Sequence, residues 1–144
     1  MKFSGHIAVS PVLLLLTPFI GLSNALIAIA SSILIDLDHI HLVIAERAFS
    51  IPKLKYITDH IYDGLINGKP NRAYVDIIYL FHTVEFNLLL LALSLKIGWL
   101  KYIALGFIFH ILCDILHHRK HKFPIIRWLF LTDWIRFKLT QKDF

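Results

Sequence analysis

The chain alternates long apolar runs with short polar connectors, and the runs are too long and too uniform to be the faces of soluble helices. Residues Ile7 to Ile35 carry no charged side chain, a run that as one straight helix would extend about 44 Å, well beyond a bilayer core of about 30 Å. Pro11, Pro18 and the Gly21-Leu22-Ser23-Asn24 stretch interrupt it. Proline removes an intrahelical donor and clashes with the preceding turn, and glycine permits a reversal. The pattern predicts two short helices, about 6–19 and 23–37, folded as a hairpin that need not cross the bilayer fully. Two other readings fit the same run. One is a single tilted span, and the other is a signal peptide with Lys2 ahead of a Val12–Leu16 core and a cut after Ala25, although the apolar run continues to Ile35.

Two further apolar segments, about 76–95 and 97–118, are joined by Lys96-Ile97-Gly98-Trp99, which is long enough only for a turn. They predict a second hairpin, with Trp99 and Tyr102 at headgroup level. Between the hairpins, Phe49, Leu54, Ile57, Ile61 and Leu65 recur at helical spacing in a polar stretch and predict an interfacial helix over about 52–66. After the basic run from His117 to Lys122, Trp128, Phe130, Trp134 and Phe137 lie among basic residues, as in an amphipathic helix on a membrane surface, about 124–138. The fold expected is an all-α membrane protein. It is a small bundle of four short transmembrane or re-entrant helices plus interfacial helices, forming one domain over residues 1–144.

Composition agrees: 57% hydrophobic residues, 17% charged and a mean hydropathy of +0.66 exclude a soluble enzyme, whose usage is roughly 45–50% apolar and 25% charged. With four segments, all basic residues except Lys96 and Lys101 share one side, and the positive-inside rule makes that side cytoplasmic for both termini and the middle loop. The net charge of +5 then points to anionic lipid headgroups. No arginine and aromatic groove is patterned for nucleic acid.

Ionisable groups inside apolar helices are costly and ask for a partner or a function. Here they are His6, Asp36, Asp38, His39, His82, Glu85, His110 and Asp114. In the four-segment topology, fixed by lysine and arginine alone, all eight fall at the cytoplasmic end. Spacing pairs an imidazole with a carboxylate on one face of each helix: Asp36 with His39, His82 with Glu85, His110 with Asp114. Nitrogen and oxygen donors suit zinc, manganese or iron, and carboxylates at this density are more stable around a divalent cation than alone. The single cysteine, Cys113, leaves any such site without a thiolate cluster. One or two ions are expected, zinc first, in the manner of bundle-core metal sites. His41, His60, Asp63, His117, His118 and His121 read as solvated or headgroup-facing and stand outside the site.

Three elements, Gly5-His6, Asp36-Leu37-Asp38-His39 after an apolar helix, and His110-Ile111-Leu112-Cys113-Asp114 in a late apolar helix, resemble the YdjM-like family of inner-membrane metal-dependent hydrolases. The order and character match along nearly the whole chain. That family also has a His-Arg-Gly-x-Thr-His-Ser stretch opening its third helix. Phe81-His82-Thr83-Val84-Glu85 supplies only the second histidine, because Ile77 stands where the first would be. The resemblance implies hydrolysis, with a distant likeness to zinc-dependent phospholipase C and P1-type nucleases and hence a phosphoester substrate. His6, Asp36, Asp38, His39, His82, His110 and Asp114 are the expected ligand pool; Glu85 is the expected general base, with Asp38 counted as catalytic too. A lipid-like anionic substrate suits a site at headgroup depth. Two rival classes use the same residues: a metal transporter or proton relay, and a non-catalytic family member serving as a scaffold.

Overall fold

Proline placement shapes the first apolar run. In the computed structural model, which describes residues 3–40, 44, 50, 52–53, 79–120 and 129–140, helix α1 (Phe3–Val9) passes into a 3-10 stretch (Ser10–Leu16) and then α2 (Thr17–Ile20). Pro11 and Pro18 each stand at the start of their stretch, where the missing N–H removes no intrahelical bond. The chain then reverses at Gly21, whose φ of 81° is open to glycine and strained for other residues. Helix α3 (Leu22–Leu34) follows and packs back on the 3-10 stretch. The first run is therefore a hairpin broken at Gly21 and not one straight span.

Helix α3 tightens at its end into a second 3-10 stretch, Ile35–His39. Side chains three apart are eclipsed in such a turn, which brings Asp36 and His39 to one side. The other hairpin opens later than its apolar pattern predicts. A short 3-10 turn (Leu80–His82) leads to Thr83 in extended conformation, and α4 runs only over Val84–Ser94. The reason is a cap: the Thr83 hydroxyl accepts from the Phe86 N–H at 3.3 Å, which starts the helix at Val84. At its length α4 extends about 16 Å, too little to cross a bilayer. After a turn, α5 occupies Leu100–Lys120, and α6 occupies Leu131–Thr140. The expected helix over 52–66 lies outside the described residues apart from its first positions, as do residues 121–128 ahead of α6.

Every regular element among the described residues is helical. The stretches Leu22–His39 and Leu100–His117 are each long and apolar enough to cross a membrane. They are also the two elements most extensively packed on each other. Small residues make this approach close: Ala25, Ala28, Ser31 and Ser32 on α3 are buried, as is Ala104 on α5. A Cβ on Gly106 would collide with the Ala28 carbonyl oxygen and lie 2.9 Å from Ser31 Cβ. Packing of this kind joins helices where hydrophobic burial drives nothing.

The interior holds polar as well as apolar residues, and many large apolar side chains face outward. His6, Ser10, Ser31, Ser32, Asp38, Thr83, Asn87 and His110 are buried, whereas Leu15, Phe19, Leu95 and Leu116 are largely exposed. The buried apolar cluster consists of Ile35, Leu90, Ala104 and Phe107, with Phe81, Phe86 and Ile103 against it. Ile35 precedes Asp36 directly and Ile111 follows His110, so the apolar cluster borders the polar groups.

Candidate metal centre

Four elements converge on one polar cluster. Helix α1 brings His6, the 3-10 end of α3 brings Asp36, Asp38 and His39, the 3-10 turn before α4 brings His82, and α5 brings His110 and Asp114. Three overlapping groups of donors lie within reach of a common ion: His6, His110 and Asp114; Asp36, His82 and His110; Asp38, His39 and His82. Together these contain all seven residues singled out as ligands from the sequence.

The tightest arrangement is central. His82 Nε2 lies 3.2 Å from His110 Nε2, and Asp36 Oδ1 lies 3.4 Å from His110 Nε2 and 3.6 Å from His82 Nε2. Asp114 Oδ2 lies 3.3 Å from His110 Nε2 and 3.9 Å from His82 Nε2. Ligand atoms about 2.0–2.1 Å from a tetrahedral zinc stand about 3.3–3.4 Å apart, and the Asp36, His82 and His110 atoms, 3.2 to 3.6 Å from one another, come near the sides of such a shell.

The far side of each donor is already held. His110 Nδ1 lies 2.7 Å from the Ser32 carbonyl oxygen, which can only accept, so Nδ1 carries the proton and Nε2 presents a lone pair. His82 Nδ1 lies 3.1 Å from Asp38 Oδ2, which orients that ring in the same sense. The two Nε2 atoms therefore face each other across 3.2 Å with carboxylate oxygens of Asp36 and Asp114 beside them. Protons on these nitrogens would pair with the carboxylates, and a divalent cation could take the place of those protons and gather the same donors. His6 stacks on the His110 ring with centroids 3.6 Å apart and lies 3.1 Å from Asp114 Oδ1. Histidine ligands held through their second nitrogen by a carboxylate or backbone carbonyl are the usual support of metal sites.

The loop carrying His82 is fixed in turn. Asn87 Nδ2 donates to the carbonyls of Phe81 and Thr83, at 2.9 Å each, and the Phe81 N–H donates to Asp38 Oδ2 at 3.0 Å. Ser32 and Asn87 are supporting residues that pairing imidazoles with carboxylates does not find. A signal existed for Ser32, a polar residue four before Asp36 in an apolar helix and hence on its face.

Glu85 lies elsewhere. The expected pairing of His82 with Glu85 on one helical face fails because Thr83 breaks the helix between them. The Glu85 carboxylate instead accepts from the N–H groups of Leu131 and Thr132, at 3.0 and 3.3 Å, and from the Thr132 hydroxyl at 3.3 Å. It caps the first turn of α6 and belongs to none of the donor groups. Asp38 is in the cluster, with Oδ2 engaged by His82 and Phe81 as described.

In comparisons with known proteins, the chain matches no family model, no curated protein and no solved structure. The likeness to the YdjM-like hydrolases thus rests on the three sequence elements alone.

Proposed function

We propose that this protein is a membrane-embedded, metal-dependent hydrolase that cleaves a phosphoester, lipid-like or otherwise anionic, at the cytoplasmic face of an inner membrane. The observation that carries the reading is the opposition of the His82 and His110 Nε2 atoms, 3.2 Å apart, beside the Asp36 carboxylate. A donor set of two imidazole nitrogens and a carboxylate oxygen suits zinc over calcium or magnesium. The large apolar side chains on the exterior and the polar groups buried inside support a bundle of four helical segments in lipid, with the cluster at the basic, cytoplasmic end.

A divalent ion bound there supplies Lewis acidity toward water and toward a phosphoryl oxygen. The chain's own residues do the rest. The Ser32 carbonyl and Asp38 hold the two imidazoles with their lone pairs inward, and His6 steadies Asp114. Exposed Arg119, five residues beyond Asp114 on α5, offers positive charge to an anionic substrate arriving along the headgroups. Glu85 has no part in the chemistry and holds α6.

The direct test is hydrolysis of phosphoester lipids in vesicles containing the purified protein, before and after chelation and zinc return. The reading expects activity that chelation removes and zinc restores, and that Asp36→Asn lacks. Hydrolysis unchanged by both chelation and Asp36→Asn would contradict it.

A further inference from the structure

We propose that a second divalent cation binds beside the first, held by Asp38 Oδ1 and His39 Nδ1 with Asp36 as the carboxylate shared between the two ions. The inference deepens the metal-dependent reading above and rests on it. Its first support is a pair of unsatisfied atoms. Asp38 is 7% exposed, and its Oδ2 is already taken by His82 and by the Phe81 N–H. Its other oxygen, Oδ1, is buried and has no hydrogen-bond partner, and neither has His39 Nδ1. The two lie 3.1 Å apart, facing each other as an imidazole–carboxylate pair. That distance is close to the separation of two ligand atoms on one zinc ion.

The second support is the position of Asp36. Its Oδ1 lies 3.6 Å from His39 Nδ1 as well as 3.4 and 3.6 Å from the nitrogens of His110 and His82. One carboxylate therefore borders both donor sets, and a carboxylate has lone pairs enough to bind on two sides. The His39 ring is kept in place against Tyr79, with centroids 4.3 Å apart.

Charge makes the same point. Three carboxylates and neutral imidazoles around a single dication leave one negative charge in the cluster, which repels an anionic substrate. A second dication makes the sum positive and fits the site to a phosphoryl group lying across both ions. The His39 side chain is about one-third exposed although its Nδ1 is buried, so the ring lies between the cluster and the surface.

The test is metal counting on the full chain in detergent. Protein stripped with chelator is titrated with zinc, desalted and analysed for metal per chain, for the wild type, His39→Ala, His39→Gln and His110→Ala. Two equivalents in the wild type, one of them bound more weakly and lost in both His39 variants while the tighter one stays, is the expected result. His110→Ala should lose the tighter one. One equivalent in the wild type, unchanged by the His39 substitutions, overturns the second site and leaves the first standing. Two equivalents that survive both His39 substitutions also overturn the assignment. No metal in any of the proteins rejects both this inference and the metal-dependent reading beneath it.

Discussion

The Nε2 atoms of His82 and His110 face each other across 3.2 Å while both Nδ1 atoms are held outward, by Asp38 and by the Ser32 carbonyl. Neither ring can turn to relieve the opposition without losing its outer bond. Binding of a cation here should therefore stabilise the fold. Free zinc at a hundredfold above its dissociation constant is expected to add about 2.7 kcal/mol. Thermal unfolding in detergent, with zinc and with chelator, reads this directly. An unchanged midpoint would show that the cluster is satisfied without metal.

His6 touches the centre through other residues, by stacking on His110 and by its contact with Asp114 Oδ1. His6→Ala should leave the stoichiometry of the tighter ion unchanged and weaken its binding about 10–100-fold, the usual cost of losing an outer partner. Competition against a chelator of known affinity measures it. Complete loss of that ion would make His6 a ligand in its own right.

Gly106 precedes His110 by one helical turn, at the tightest approach of α5 to α3. Gly106→Ala puts a Cβ against the Ala28 carbonyl and 2.9 Å from the Ser32 nitrogen. Backbone cannot yield there as a flexible side chain could, so about 1–3 kcal/mol of stability should be lost. Thermal unfolding without metal isolates this term, and a neutral effect would argue against the close crossing.

Glu85→Ala should release the first turn of α6 and leave the metal centre untouched. Loss of a helix cap costs about 0.5–2 kcal/mol, confined here to one helix. Hydrogen exchange should rise over residues 131–140 with zinc content unchanged. Loss of zinc in this variant would restore Glu85 to the centre.

Much of the site was legible because charge is so costly in an apolar helix. His6, Asp36, Asp38, His39, His82, His110 and Asp114 stand out against their surroundings without any geometry, and the Pro11, Pro18 and Gly21 interruptions mark the first hairpin. Local conformation was harder to read. The apolar pattern makes Thr83 one more residue of a helix, whereas its hydroxyl begins α4, and that single cap separates His82 from Glu85. The tightening of α3 into a 3-10 turn at Ile35–His39 leaves no composition signal, yet it aligns Asp36 with His39. Ser32 could be singled out as a polar residue on the face of Asp36, but its contact with His110 could not, because the backbone oxygen does the holding.

The central claim is that His82 and His110 share a metal ion. Elemental mass spectrometry of the detergent-purified protein, beside the His82→Ala/His110→Ala double variant, tests it most directly. The account predicts at least one equivalent of zinc, or of another divalent transition metal, per wild-type chain and loss of the central ion in the folded double variant. A wild-type protein that is purified without metal, takes up none on addition and remains folded would contradict it.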